Sequence, residues 1–342
     1  MSFEYIQKIP TAADITEEMP LSEELRAVKA RNDAWIQDIF TRQNDKFLVI
    51  IGPCSADNED SVCEYVTRLA RLQDKVIEKI ILVPRVYTNK PRTTGDGYKG
   101  MAHQPKPDKE PDIVAGLLAI RKLHLRVIRE SNLTAADEML YPGNYPYLAD
   151  CLSYVAIGAR SVENQQHRLT VSGLDIPSGM KNPTSGDITV MLNSIQAAQL
   201  PHVFIYHDWE VRTSGNPLAH CILRGATDHA GTCIPNYGYD DLRKVADLYL
   251  KRDLGHPTII VDANHANSNK RFAEQPHIAL DVIKSRRRSK TLSGMVRGLM
   301  IESYLVEGAQ PAPGRTHGQS ITDPCLGWED SERLILDLAE AI

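Results

Sequence analysis

Short apolar runs rich in β-branched residues recur along the chain, and each is followed by a segment with helical periodicity. Eight runs have the length of buried strands: FLVIIGPCS, KIILVPRVY, NLTAADEML, YVAIGAR, DIPSGMKN, HCILRG, TIIVDANHA and GLMIESY. Apolar residues follow the 3.6-residue period of amphipathic helices in DSVCEYVTRLARLQDKV, DIVAGLLAIRKLHLRVIRES, DITVMLNSIQAAQ, YDDLRKVADLYLKR and HIALDVIKS. The pattern therefore predicts a chain that alternates strand and helix.

Eight such repeats predict an α/β protein whose residues 47–342 form a (β/α)8 TIM barrel. An open parallel sheet would show the same alternation. The ends of the predicted strands favour the barrel, because almost all of their charged residues and possible metal ligands lie at the carboxyl edge. Barrel enzymes build their active sites at that edge.

Two segments lie outside the eight repeats. Residues 1–46 include the helix-like stretch SEELRAVKARNDAWIQDIF and are predicted to be an N-terminal extension that contacts a partner subunit or regulates the protein. The stretch HVFIYHDWEVRTSGNP, between the fifth and sixth repeats, predicts an added β-hairpin.

Composition narrows the class of protein. The 342 residues carry 39 basic and 44 acidic side chains, a net charge of -5, which gives no reason to expect a nucleic acid or an anionic membrane as partner. The six cysteines are scattered without a CxxC pair, which is typical of a reducing compartment. The N-terminus is acidic, and no apolar run is long enough to span a bilayer, so we expect a cytoplasmic protein without a membrane anchor.

Four residues at strand ends or in the following loops are possible metal ligands: Cys54, His265, Glu302 and Asp323. One thiolate, one imidazole and two carboxylates would bind a divalent ion and leave a position open for substrate. Each residue also has an ordinary structural interpretation, as a buried thiol, a core histidine, an arginine partner and a helix N-cap. The metal hypothesis rests on their combination, because a barrel would bring all four to one mouth.

The same edges carry an unusual number of cations for an acidic protein: Arg85, Lys90, Arg92, Arg160, Lys181 and Arg224. Their mutual repulsion would have to be offset by anions, and arginine matches the geometry of phosphate and carboxylate. Some of them could instead pair with carboxylates of the barrel. The pattern indicates phosphorylated substrates.

At KPRTT, IGARSVENQQHR, GMKNPTSGD, DANHANSNK, MIESYLVEG and SITDPCLGWED, the chain resembles class I DAHP synthase. The resemblance runs from about Phe47 to the C-terminus. It implies a (β/α)8 barrel and a divalent metal ion, with manganese as the first choice and iron, cobalt or zinc as alternatives. It also implies a transferase that condenses phosphoenolpyruvate with erythrose 4-phosphate, the first step of the shikimate pathway to aromatic amino acids.

The resemblance also implies roles for individual residues. The metal ligands would be Cys54, His265, Glu302 and Asp323, and the phosphoenolpyruvate contacts would be Arg85, Lys90, Arg160, Lys181 and Arg224. Within KPRTT, Pro91, Arg92 and Thr93 match the part that holds the sugar phosphate, and Ala159 joins the substrate contacts beside Arg160. Glu138 would position the attacking water and Lys181 would transfer a proton, which makes these two the expected catalytic residues together with Cys54 and His265.

Two rival functions follow from the same features. The sister enzyme that makes 3-deoxy-manno-octulosonate 8-phosphate from arabinose 5-phosphate shares the chemistry, but KPRTT and the long leading segment argue against it. A non-catalytic phosphosugar sensor would be favoured by loss of a metal ligand, and none is lost. We expect a homodimer or homotetramer, and the extension suggests feedback inhibition by an aromatic amino acid, whose identity the sequence does not determine.

Overall fold

The computed structural model of the protein describes residues 2–342. The strands are β1 Phe47–Gly52, β2 Ile80–Pro84, β3 Ala135–Glu138, β4 Leu152–Ile157, β5 Ser178–Lys181, β6 Val203–Tyr206, β7 Trp209–Arg212, β8 Ala219–Leu223, β9 Ala226–Thr227, β10 Cys233–Ile234, β11 Ile259–Asp262, β12 Val296–Glu302, β13 Val306–Ala309 and β14 Gln319–Ser320.

The helices alternate with these strands. They are α1 Ala12–Glu18, α2 Glu23–Thr41, α3 Glu59–Val76, α4 Ile113–Ser131, α5 Gln165–Val171, α6 Ile188–Gln199, α7 Tyr239–Leu250, α8 Gln275–Arg287, α9 Lys290–Met295 and α10 Trp328–Ala341. Short 3-10 turns cover Pro142–Tyr147 and Phe272–Glu274. The helices predicted from periodicity correspond to α2, α3, α4, α6, α7 and α8.

Eight parallel strands form one sheet in the order β2, β1, β12, β11, β8, β5, β4, β3. The first and last strands meet in a parallel bridge between Arg85 and Ala136, where the Val86 N–H donates to the Ala136 carbonyl over 2.9 Å. The sheet therefore closes into a barrel. Its strands are the eight predicted apolar runs, so the predicted (β/α)8 fold is confirmed.

Burial on both faces explains why the strands read as nearly continuous apolar runs. Every residue of β1, β4, β8 and β12 is buried. One face packs under the helices, and the other fills the barrel interior with side chains such as Leu48, Ile50, Ile222 and Met300. Parallel strands covered on both sides have no polar face to alternate with.

The segment before β1 packs on the barrel itself. Helix α2 places Ile36, Ile39 and Phe40 in the cluster of apolar side chains that fills the barrel interior. The Phe40 ring lies 4.5 Å from the ring of His220 on β8. A boundary at residue 46 remains a prediction, because α2 shares the core of the unit that follows it.

The predicted hairpin is present. Strands β6 and β7 pair antiparallel, with Val203 opposite Arg212 and Tyr206 opposite Trp209. All six cysteines are free thiols. Within residues 2–342, none of the helices combines the length and the apolarity that a bilayer crossing would need.

Candidate active site

A cavity of about 560 Å³ opens at the carboxyl ends of the barrel strands. It is lined by all but one of the residues that the sequence predicted as site residues, namely Cys54, Arg85, Lys90, Pro91, Arg92, Glu138, Ala159, Arg160, Lys181, Arg224, His265, Glu302 and Asp323. The exception, Thr93, accepts a 2.9 Å hydrogen bond from Arg160, which does line the cavity. The barrel thus gathers residues that are up to 269 positions apart in the chain, such as Cys54 and Asp323.

Three of the four proposed metal ligands form one cluster. The Cys54 thiol and a carboxylate oxygen from each of Glu302 and Asp323 all lie within 4.8 Å of one another. His265 stands at the edge of this cluster, with Nε2 at 3.8 Å from Glu302 Oε1. A thiolate beside two carboxylates and an imidazole suits a borderline divalent ion, so the residues present fit a metal site.

Lys90 places a positive charge against this cluster. Its ammonium donates to the Cys54 sulfur over 2.7 Å and to Asp323 over 2.6 Å. Burial alone would raise the pKa of the Asp323 carboxyl, but Lys90 holds that pKa well below its usual value. Burial also raises the pKa of the Cys54 thiol, and the Glu302 carboxylate raises it further, whereas Lys90 opposes the shift. The cluster therefore has the electrostatics of a cation site.

Glu302 is held from two sides. Its Oε1 accepts a 3.0 Å hydrogen bond from Arg85, and its Oε2 accepts a 2.7 Å hydrogen bond from Asn264. Arg85 is itself tethered to the carbonyl of Pro53, just before Cys54. These hydrogen bonds thus orient the carboxylate toward the cluster.

Asp262, at the end of β11, is a site residue that sequence reasoning missed. Its Oδ2 lies 3.3 Å from the Lys181 ammonium and 2.9 Å from His265 Nδ1. Burial would raise the pKa of Asp262, yet His265 and Lys181 hold it far below the usual range. The available signal was its place at a strand end, in the DANHANSNK motif.

The cations that line the cavity are only partly neutralised by the protein. Arg224 is buried, and its Nη1 has no hydrogen-bond partner among residues 2–342. Its pKa is lowered chiefly by burial, and the neighbouring Arg160 lowers it further. A group of cations that repel one another in a buried cavity is complementary to an anion such as phosphate or carboxylate.

The carboxylate of Glu138, at the end of β3, lies directly against a glycine. A Cβ atom at Gly158 would lie only 2.2 Å from Glu138 Oε1. Both residues line the cavity, as does the buried Asn89. Gly158 and Asn89 were not predicted, because their roles depend on a neighbour from another strand.

A closed parallel barrel with a cation-lined cavity and a metal-competent cluster at its carboxyl end defines a (β/α)8-barrel enzyme for anionic substrates. The family model described as the DAHP synthetase I family matches residues 19–335. The chain therefore belongs to the DAHP synthetase I family, and the predicted family and enzyme class are confirmed.

Individual relatives agree with the family match. A phospho-2-dehydro-3-deoxyheptonate aldolase of Haemophilus influenzae is 39% identical, with 98% of this chain and 92% of that protein covered. Three Escherichia coli enzymes of the same name are also similar. The Phe-sensitive enzyme is 38% identical over 98% of this chain and 95% of its own length. The Trp-sensitive enzyme is 36% identical over 98% and 96%, and the Tyr-sensitive enzyme is 36% identical over 97% and 92%. The solved structure of such an aldolase from Francisella tularensis SCHU S4 superimposes with a TM-score of 0.92 at 30% identity, over 100% of this chain and 98% of that one.

Proposed function

We propose that the protein condenses phosphoenolpyruvate with erythrose 4-phosphate to give 3-deoxy-D-arabino-heptulosonate 7-phosphate and phosphate. The observation that carries the proposal is the convergence of seven cationic side chains on one cavity beside a metal-competent cluster. These cations are the six that the sequence predicted, Arg85, Lys90, Arg92, Arg160, Lys181 and Arg224, together with Lys270. Both substrates are phosphorylated and one is also a carboxylate, so the reaction needs several cations in one cavity.

We assign the two substrates to adjoining parts of the cavity. Phosphoenolpyruvate would bind against Arg85, Lys90, Arg160, Lys181 and Arg224, and the sugar phosphate would bind at Pro91, Arg92 and Thr93. The hydrogen bond from Arg160 to Thr93 supports this arrangement, because it joins the two sets of residues. Ala159 lies beside Arg160 in the lining of the same cavity.

The reaction forms a bond between C3 of phosphoenolpyruvate and the aldehyde carbon of the sugar phosphate. Water then adds at C2, and the C2–O bond to phosphate breaks. Glu138 would position this water and accept its proton, because it is a carboxylate at the cavity wall with Gly158 leaving room for it. Lys181 would supply a proton to the oxygen that was the aldehyde, and Asp262 would orient its ammonium.

Cys54, Glu302, Asp323 and His265 would hold a divalent metal ion, with manganese expected and iron, cobalt or zinc as alternatives. When bound, such an ion supplies Lewis-acid polarisation of the aldehyde oxygen. Lys90 would then be free to turn from the thiol and Asp323 toward the substrate anions. The cluster of three donors within 4.8 Å supports this assignment.

Phosphate release from phosphoenolpyruvate tests the activity directly. We expect rapid release with erythrose 4-phosphate, slow release with arabinose 5-phosphate, and none after chelation of divalent metal. Faster turnover of the five-carbon sugar would favour the sister octulosonate 8-phosphate synthase. Binding of both sugars without any release would favour a non-catalytic sensor.

We also propose a cytoplasmic homodimer or homotetramer that is inhibited by an aromatic amino acid. The three Escherichia coli relatives named for Phe, Trp and Tyr sensitivity support inhibition, without indicating which amino acid acts here. Exposed apolar side chains on the N-terminal segment, such as Tyr5 and Ile6, and on the β6–β7 hairpin, such as Ile205 and Trp209, support assembly. Light scattering of the purified protein and rates measured with each amino acid test these two proposals.

A further inference from the structure

A buried aspartate lies directly behind the catalytic face of the barrel. Asp137 precedes Glu138 on β3, so its side chain points away from the barrel interior toward helix α4. It is 4% exposed. A carboxylate in this layer is costly to bury unless hydrogen bonds compensate for the lost water.

The hydrogen bonds of Asp137 go to two segments of the active site. Its Oδ1 accepts from the Glu138 backbone N–H over 2.7 Å and from the Thr88 backbone N–H over 2.9 Å. Its Oδ2 accepts from the Thr88 hydroxyl. His124 of α4 approaches Oδ2 only to 3.8 Å, and neither ring nitrogen has a hydrogen-bond partner within the part of the chain from 2 to 342. The two bonds from Thr88 tie the segment that follows β2 to the end of β3, and the third bond, within β3, fixes the carboxylate against the Glu138 backbone.

Both segments carry site residues. Glu138 is the proposed water-positioning carboxylate, and Thr88 is followed by Asn89, Lys90 and the sugar-phosphate residues that end at Thr93. Asn89 and Glu138 line both the substrate cavity and a second, small cavity of about 20 Å³ that Asp137 also lines. A cavity of this size holds about one water molecule. A shift of Asp137 would therefore displace both Glu138, which would position the water, and the segment that would bind the sugar phosphate.

We propose that Asp137 is a positioning residue for the condensation, which fixes Glu138 and the segment from Thr88 to Thr93 relative to each other. Asp137 touches no substrate in this scheme. It acts by accepting hydrogen bonds from two backbone N–H groups and one hydroxyl. These bonds keep a fixed distance between the Glu138 carboxylate, which would position the water, and the residues that would bind the sugar phosphate. The inference rests on the proposed function, because it assigns roles within that reaction.

Two substitutions separate the two arms of this arrangement. Asp137→Asn replaces one acceptor oxygen by a donor and disturbs both arms, so kcat should fall at least tenfold and KM for erythrose 4-phosphate should rise at least threefold. KM for phosphoenolpyruvate should rise less than KM for erythrose 4-phosphate, because Lys90 alone of its five proposed contacts lies in the segment from Thr88 to Thr93. Thr88→Val removes only the hydroxyl arm, so it should raise KM for the sugar and leave kcat within about threefold.

Tyr154→Phe is the matched control. It removes a buried 2.7 Å hydrogen bond to His220 in the same barrel, below the substrate cavity. Thermal melts of all variants measure the stability loss, and Tyr154→Phe should lose stability without a change in kcat or either KM.

Wild-type kcat and KM values in Asp137→Asn would overturn the inference. It would also be overturned if Asp137→Asn lost only kcat and Tyr154→Phe showed the same loss of kcat at an equal loss of stability. If Asp137→Asn does not fold, an unchanged KM for the sugar in Thr88→Val overturns it. An inactive wild-type enzyme would instead refute the proposed function and, with it, the inference built on that function. If the wild type is active and the variants do not show the expected changes in kcat and KM, only the inference about Asp137 is refuted.

Discussion

Asp262→Asn tests whether the carboxylate at the end of β11 organises the active site. The substitution keeps the shape of the side chain but removes the charge that faces Lys181 at 3.3 Å and His265 at 2.9 Å. A residue that orients a metal ligand typically contributes about 10- to 100-fold in metal affinity or activity. We therefore expect metal to bind about 10- to 100-fold more weakly and kcat at saturating metal to fall, because Lys181 also loses its orienting partner.

The same substitution has a calculable effect on stability. Removing one partner of a buried ion pair costs about 3 to 5 kcal/mol, because the other charge stays buried and unpaired. An unfolding entropy of about 2.1 cal/mol/K per residue gives about 0.7 kcal/mol/K for the whole chain. The melting temperature should thus fall by roughly 4 to 7 °C.

Metal titration, initial rates and thermal melts on one preparation give all three quantities. Asp150→Asn is the matched control, since Asp150 makes 2.8 and 3.0 Å hydrogen bonds to the fully buried Arg121, away from the metal cluster. The control should lower the melting temperature without changing metal affinity. Wild-type metal affinity and kcat in Asp262→Asn would refute the orienting role.

Three further predictions concern single residues. Cys54→Ser should fold normally but bind metal far more weakly. In the wild type, bound metal should protect the Cys54 thiol from iodoacetamide. Stoichiometric metal and normal turnover in Cys54→Ser would exclude the ligand role. Arg92→Ala should raise KM for erythrose 4-phosphate roughly ten- to a hundredfold, because a charge-assisted hydrogen bond contributes about 1.5 to 3 kcal/mol, and an equal rise for phosphoenolpyruvate would contradict the assignment. Burial raises the pKa of Asp57 to about 6. Between about pH 4 and pH 6 the folded state therefore keeps a proton that the unfolded state has lost, so the free energy of unfolding should fall as pH rises through this range. Asp57→Asn should therefore stabilise the protein at pH 7.5 by at most about 3 kcal/mol and change little at pH 4, and equal effects in denaturant melts at both pH values would show that the carboxyl is not perturbed.

The sequence by itself determined the eight barrel strands, six of the ten helices in residues 2–342, and the edge of the barrel that carries the chemistry. A strand buried on both faces must be apolar throughout, and a helix packed on one face must repeat its apolar residues every 3.6 positions, so both are visible locally. The hairpin from Val203 to Arg212 was equally visible. Residues such as Lys181 and Glu302 could be located because each ends its own strand.

Only the tertiary structure decided which of these residues touch. Nothing local to Lys90 indicates that its ammonium contacts Cys54 and Asp323, and nothing local to Gly158 indicates that a Cβ there would strike Glu138. The placement of Phe40 against the barrel interior was likewise not foreseen, because the pattern of α2 shows an apolar face but not its partner. Hydrogen bonds and ion pairs act over about 3 to 4 Å, and closure of the barrel alone brings remote strand ends within that range.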